Sequence, residues 1–381
     1  MTLYEPQVLA RLESPFFSQL VARIRAVDRE RPGGVVDLAR GNPEIPPPSH
    51  VIDALVAAAR VPEVHGYPAF AGSQTLREAF AAHHRETFGV ALDADTEVIA
   101  VPGTKTGIAL VCMALAGPGE VVLVPDPGYA DYPPGVAVSG GRIEWLPLDA
   151  SDGWAPSWDA VPQRALDDAR MAFLNYPSNP TGSIAHDSLF PTAIDVARRN
   201  NFAIVHDLAY GELAFEQRDT PRSFLATPGA KDVGVELVSM SKTWCMAGWR
   251  LGFVCGNAAI VARVRSLLDA LSVGVFDAVQ RGATAALTGP QDSVAVMRET
   301  YHRRAQRVAQ VLGVEASRGG YYTWVKLPDG LTAEALLVEH GVAVAPGDGC
   351  GPHGAGWARI SVSRPDDVID AGLERLARAW H

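Results

Sequence analysis

Residues 235–256 read VELVSMSKTWCMAGWRLGFVCG. Two largely apolar runs, VELVSM (235–240) and RLGFVCG (250–256), enclose a polar turn carrying Ser239, Ser241, Lys242 and Arg250. Successive strand residues point to opposite faces of a sheet, so an apolar run without alternation belongs to a strand covered on both sides. The pattern repeats outward: EVIAV (97–101), EVVLVP (120–125), RIEWLPL (142–148), RMAFLNY (170–176) and FAIVHD (202–207) are similar runs. Helix-like segments lie between several of them, at 104–116 and 186–200. This alternation predicts an α/β fold whose mostly parallel central sheet is sandwiched by helices. Ligands on such sheets bind at the carboxyl ends of the strands.

Either side of this region the pattern changes. SHVIDALVAAAR (49–60) reads as a helix with Ser49 as its N-cap. A long amphipathic helix is predicted over 292–312. It is followed by YYTWVKL (321–327), GVAVAP (341–346), ARISVS (358–363) and a final helix from about 365. These elements predict a smaller α+β domain whose sheet takes the N-terminal segment as partner. The expected division is a large domain over 49–280, and a small domain of 1–48 together with 281–381. With 381 residues, two cores are the natural expectation.

Composition excludes several function classes. Hydrophobic residues make up 48% and charged residues 20%, a globular mixture with ample core material. The net charge is −10 with no basic block, which argues against nucleic acid and anionic membrane as partners. The N-terminus MTLYEPQVLARLESPFF lacks a basic region followed by a long apolar run, and no apolar stretch is long enough to span a bilayer. A cytoplasmic location is expected. Cys112, Cys245, Cys255 and Cys350 form no C-x-x-C pair and read as free thiols, and the ten histidines show no metal-ligand spacing.

Four motifs stand at the carboxyl ends of predicted strands. In SMSKTWCMAGWR, Lys242 offers an amine to the aldehyde of pyridoxal 5′-phosphate, while Ser239, Ser241 and Arg250 offer hydroxyls and a bidentate cation to its phosphate. In HDLAYGELAF (206–215), Asp207 is suited to the protonated ring nitrogen, and Tyr210 to the cofactor's 3′ oxygen. An Asp capping the following turn is the plain alternative. In FLNYPSNPTGSIA (173–185), Asn179 can aim an amide at the same oxygen, or serve an ordinary Asn-Pro turn. In VPGTKTGIAL (101–110), the backbone N–H groups of Gly103, Thr104 and Lys105 suit an anion at a helix N-terminus. Neither G-x-x-x-x-G-K-[ST] nor G-x-G-x-x-G occurs there. Together the motifs supply an amine, a ring acid, 3′-oxygen donors and a phosphate cup.

From about residue 35 to the C-terminus the chain resembles the fold-type I pyridoxal phosphate aminotransferases of class I/II, most closely the diaminopimelate and alanine-type branch. The runs GTKTGIAL, VLVPDPGYADY, NYPSNPTG, GAKDVGVELVSMSKTWCMAGWRLGFVCGN and VAVAPGDGCGPHGAGWARIS carry the likeness. The resemblance implies Lys242, Asp207 and Tyr210 as catalytic residues, with Lys242 holding the cofactor as a Schiff base. It implies Tyr129 stacked on the ring, and Ser239 and Arg250 on the phosphate. Tyr67, in GYPAFAGSQTLRE, would reach the neighbouring subunit's phosphate, which makes a homodimer with shared active sites. Gly41 and Asn179 would border the substrate, and Arg359 would clamp its α-carboxylate.

The implied reaction moves an amino group between an amino acid and a 2-oxo acid such as 2-oxoglutarate, on an LL- or N-succinyl-diaminopimelate substrate or a related one. Arg40, beside Gly41, is the candidate reader of a distal carboxylate; a surface ion pair with Glu44 is the plain alternative. One departure from the branch is LLDALSVGVF (267–276), where Ala270 and Val273 replace expected polar groups and leave the substrate open. Two other readings share the cofactor site. One is a β-lyase of cysteine conjugates. The other is a non-catalytic pyridoxal phosphate-binding regulatory module, for which the chain has neither a basic patch nor room for a helix-turn-helix before residue 35.

Overall fold

In the computed structural model, which describes residues 7–12, 16–215 and 222–380, a short strand β1 (Val36–Asp37) precedes the central elements. These are β2 (Val98–Val101), β3 (Val121–Asp126), β4 (Arg142–Asp149), β5 (Ala155–Pro156), β6 (Ala169–Leu174), β7 (Ala203–Leu208), β8 (Gly234–Ser239) and β9 (Gly252–Gly256). They form one sheet in the order β2-β9-β8-β7-β6-β3-β4-β5. Strands β4, β3, β6, β7 and β8 pair in parallel, and β9 and β5 pair antiparallel with their neighbours. The chain is α/β with a mostly parallel sheet, as the unbroken apolar runs require.

Helices cover both faces. Ile99, Val101, Val122 and Val124 face the cluster that includes Ile108, Val111, Val264 and Leu268, from helices Thr104–Leu115 and Ala258–Leu271. The alternate residues Val98, Ala100, Val121 and Leu123 face Leu76, Phe80, Ile194 and Ala283, from Gln74–Phe88, Leu189–Asn200 and Asp277–Thr288. Two-sided burial is why these strands lack polar alternation.

A second core forms around the helices Asp292–Leu312 and Asp366–Trp380 and the strands β10 (Tyr322–Lys326), β11 (Val342–Ala343), β12 (Ala345–Pro346) and β13 (Trp357–Ser361). β10, β13 and β12 form an antiparallel sheet, and β1 pairs in parallel with β11. Leu38 continues the link: its N–H donates to Ala343 and its carbonyl accepts from Ser361. The N-terminal segment thus joins this sheet. GVAVAP is two short strands rather than one. Ser49 is the first helical residue and does not cap; Pro48 holds the cap position at φ −55°, ψ 147°, without a side-chain bond. A proline disfavours helical geometry in the residue before it, so the 46–48 run keeps the chain extended until Ser49.

On the covered side of the sheet, His83 meets Glu212 at 2.9 Å and the edge of the Trp244 ring. Burial opposes the charged imidazole, but Glu212 offsets this and the pKa is raised. A raised folded-state pKa adds stability that is fully present below the unfolded value and lost as pH rises through the folded one. Glu212→Gln is therefore expected to lower stability by on the order of 1 kcal/mol at pH 6. Denaturant melts at rising pH should show that deficit shrinking; a pH-independent deficit would assign the loss to packing instead.

Candidate active site

The carboxyl ends of β2, β6, β7 and β8 share one edge of the sheet. Because β9 runs back against β8, Arg250, two residues before it, arrives at that same edge. Here lies a cavity of about 370 Å³, lined among others by Gly41, Thr104, Tyr129, Asn179, Lys242 and Arg359. Asp207, Tyr210, Ser239, Ser241, Lys105 and Arg250 line it too.

Lys242 follows β8 in the one-turn helix Met240–Thr243, where the Ser239 hydroxyl accepts the Ser241 N–H. Its Nζ donates to the Gly41 carbonyl at 3.2 Å and lies 5.4 Å from the Tyr321 ring centre. Burial, aided by the nearby Arg359 and Arg250 charges, lowers its pKa and so favours the neutral amine. Arg250 leans on the start of helix Thr104–Leu115. Gly103, at φ 81°, allows this: a Cβ there would collide with the Arg250 guanidinium. Lys105 lines the cavity, but its ammonium is committed to Asp131 at 2.8 Å. The Tyr129 hydroxyl donates to the same Asp131 at 2.5 Å.

Asp207, the penultimate residue of β7, has its carboxyl buried. Oδ2 accepts from the Tyr132 hydroxyl at 3.0 Å, while Oδ1 is buried without a hydrogen-bond partner. Burial pushes its pKa up to about 6. Asn175 donates to the Asp207 carbonyl at 2.7 Å, and its Oδ1 accepts the Asn179 backbone N–H at 2.7 Å. Asn179 in turn accepts from Arg359 at 2.9 Å. Arg359 is fully buried. It also donates to the Ala39 carbonyl, lies 3.9 Å from the Tyr322 ring centre and 5.0 Å from that of Phe17, and has an unpartnered Nε.

The structure thus gathers all but two of the expected site residues around one cavity. Gly103 lies behind it, against the Arg250 guanidinium, and Tyr67 is 89% exposed and lines none of it. It sits in a loop touching Gly274, where a Cβ would meet Ala69 and Phe70. Arg40 lines the cavity, but the expected Arg40–Glu44 alternative is overturned: Arg40 Nε pairs with Asp37, and Glu44 accepts from Arg304 at 2.5 Å. Asp37 ends β1 three residues away, whereas Arg304 draws Glu44 to the second core. The four cysteines are free, with Cys112, Cys255 and Cys350 buried.

Sequence reasoning missed Tyr132, Asn175, Phe17, Val21 and Tyr322. Tyr132 stands three residues after Tyr129 in PDPGYADY, and Asn175 opens NYPSNPTG, so both lay inside motifs already singled out. Phe17 and Val21 carried no local signal.

The family model described as "Aminotransferase class I and II" matches residues 33–376. The chain is 38% identical to an LL-diaminopimelate aminotransferase of Moorella thermoacetica, covering 99% of this chain and 98% of that protein. It is 35% identical to the L-glutamine–4-(methylsulfanyl)-2-oxobutanoate aminotransferase of Bacillus subtilis, covering 99% and 97%. Substrate-bound BacF of Bacillus subtilis superposes with a TM-score of 0.93 at 32% identity, covering 100% of this chain and 98% of that one. No helix among the described residues is long and apolar enough to cross a membrane.

Proposed function

We infer the chemistry from one premise: the chain belongs to the class I and II aminotransferase family and is a transaminase. The reading that follows is that it binds pyridoxal 5′-phosphate and moves an amino group between an amino acid and a 2-oxo acid, 2-oxoglutarate being the preferred acceptor. The observation that carries it is the unpartnered Oδ1 of Asp207, buried in the same cavity as a buried lysine. Such an atom is costly unless a donor completes it. Gly103 also lets the Arg250 guanidinium lie against a helix N-terminus, which suits a phosphate held there. The β-lyase and regulatory readings are not favoured, since the relatives are named for amino transfer.

When bound, pyridoxal phosphate supplies a pyridinium that takes up the charge left on the substrate's Cα. The chain's own residues do the rest. Arg250, Ser239, Ser241 and the backbone of Gly103, Thr104 and Lys105 hold the phosphate. Asp207 Oδ1 accepts the ring N–H, and Tyr132 keeps that carboxylate oriented. Asn179 and Tyr210 face the 3′ oxygen, and Tyr129 covers the ring. Arg359 binds the α-carboxylate through two parallel donors, already positioned by Asn179 and Tyr322. Lys242 Nζ, whose pKa burial lowers, takes the Cα proton. The first test is absorption: the purified protein should be yellow, and a colourless protein that binds no pyridoxal phosphate would end this reading.

The proposal extends to assembly and substrate. Tyr67, Phe70, Leu271, Val273 and Phe276 are exposed, which supports a homodimer in which Tyr67 completes the partner's phosphate site. The proposed large domain runs over 49–280, and the remainder forms the small one. Arg40, which lines the cavity and whose Nε is anchored by Asp37, is the proposed reader of a distal carboxylate. Substrates of the diaminopimelate or glutamate type would present that group. Arg40→Ala is expected to lower kcat/KM for glutamate roughly tenfold more than for alanine, the worth of one charge-assisted contact. Equal losses on both substrates would remove Arg40 from substrate recognition.

A further inference from the structure

Strands β7 and β8 set His206 directly opposite Glu236, and both side chains are fully buried. His206 and Asp207 are consecutive strand residues, so they project to opposite faces of the sheet. Asp207 enters the cavity; His206 packs behind it against Phe190 and Phe224.

The donors and acceptors around this pair can be counted. His206 Nε2 lies 3.1 Å from the carbonyl oxygen of Tyr176, which only accepts. Its Nδ1 lies 2.9 Å from Glu236 Oε1. That carboxyl also meets the Phe224 backbone N–H at 2.6 Å, the Ser223 hydroxyl at 2.9 Å and His84 Nε2 at 3.2 Å. Three hydrogen bonds, from His206, Ser223 and Phe224, converge on one carboxyl with the His84 imidazole close beside it, which is the environment of an ionised acceptor. Burial alone would raise the Glu236 pKa, but His206 and His84 more than offset it and draw it to about 2. His84, Glu236 and Cys255 also fall within 4.8 Å of one another, and the carboxylate among them is hydrogen-bonded by His206, Ser223 and Phe224.

With an acceptor at each nitrogen, His206 satisfies both only by carrying a proton on each. We propose that His206 carries a proton on both ring nitrogens, held by Glu236, and acts as a positioning residue for transamination from the far side of the sheet. It works through two routes. Its charge, one residue from Asp207, favours the ionised carboxylate against the burial that disfavours it. Its Nε2–H holds the Tyr176 carbonyl, inside the 175–179 loop that carries Asn175 and Asn179. The charged and titratable groups around it are Glu236 on β8, Asp207 beside it on β7, His84 on helix Gln74–Phe88 and Cys255 on β9.

This inference rests on the proposed pairing of Asp207 with the cofactor ring, and the two can fail separately. Neutron diffraction of the deuterium-exchanged holoenzyme should show deuterium on both ring nitrogens of His206 and none on Glu236. A single ring deuteron, or one on Glu236, overturns the proposal whatever Asp207 does. Glu236→Gln and His206→Gln remove the charge by different routes. Each is expected to weaken pyridoxal phosphate binding by the apoprotein about tenfold at neutral pH. Each should also move the acid limb of that binding up by about one pH unit, the same tenfold read on the pH axis. Wild-type affinity and pH profile in both folded variants would overturn the proposal; if neither variant folds, the neutron result decides it. Failure of the underlying reading has its own signature, an Asp207→Asn protein that binds the cofactor as tightly as wild type.

Discussion

A Lys242→Ala protein is expected to lose about two to four orders of magnitude in turnover, the span attributed to a positioned acid–base group. The cavity has no spare amine to take over. Lys105 is the other lysine lining it, and its ammonium is bound to Asp131 at 2.8 Å. The depressed pKa of Lys242 belongs to its buried place beside Arg359 and Arg250 and does not transfer to a solvent-exposed amine. Truncation should leave the fold intact, since the Nζ bond to Gly41 is a single contact at 3.2 Å. Borohydride treatment of the wild-type holoenzyme should fix the cofactor to the peptide containing Lys242, and single-turnover kinetics should give the rate loss. A Lys242→Ala protein that turns over amino acids at the normal rate would remove the whole catalytic assignment.

Asp207→Asn is expected to pull function and stability in opposite directions. Turnover should fall by roughly two to three orders of magnitude, because an amide cannot hold a protonated ring nitrogen with a charge-assisted bond. The cofactor-free protein should become more stable. Burial raises the folded-state pKa of Asp207 to about 6, above the ordinary carboxylate range. Between about pH 4 and 6 the folded protein therefore binds more protons than the unfolded chain, and stability falls as pH rises through that window. At neutral pH the ionised carboxylate costs roughly 2–3 kcal/mol, since a tenfold change in acidity is worth about 1.4 kcal/mol. Asparagine avoids that cost and can still accept from Tyr132. Urea melts of the two apoproteins at pH 5 and pH 7.5 would measure it. The expected gain is larger at pH 7.5; a variant less stable than wild type at both pH values would show that Asp207 serves folding.

Much of the site was legible because its chemistry sits in short motifs at strand ends. Lys242, Asp207, Asn179, Arg250 and the Gly103 turn each follow or precede a recognisable apolar run, and all meet at one cavity. Other parts were not legible. Phe17 reaches the site from a helix with no motif, and Arg40 takes Asp37 where the sequence offered Glu44 equally well. Ser49 looked like a cap because nothing in the cap rule weighs a preceding proline run.

The sequence by itself determined most of the central strands, the two-sided burial of those other than the partly exposed β4, and the types of chemical group at their ends, because the period of a strand and the turn after it are written in consecutive residues. Only the tertiary structure decided that β9 runs against β8 and so returns Arg250 to the edge where Lys242 lies. It alone decided that Arg359 meets Asn179, 180 positions away in the chain, and that Oδ1 of Asp207 is left without a donor. A hydrogen bond between distant residues depends on where every intervening element packs, and whether a buried oxygen is satisfied depends on all of its neighbours at once.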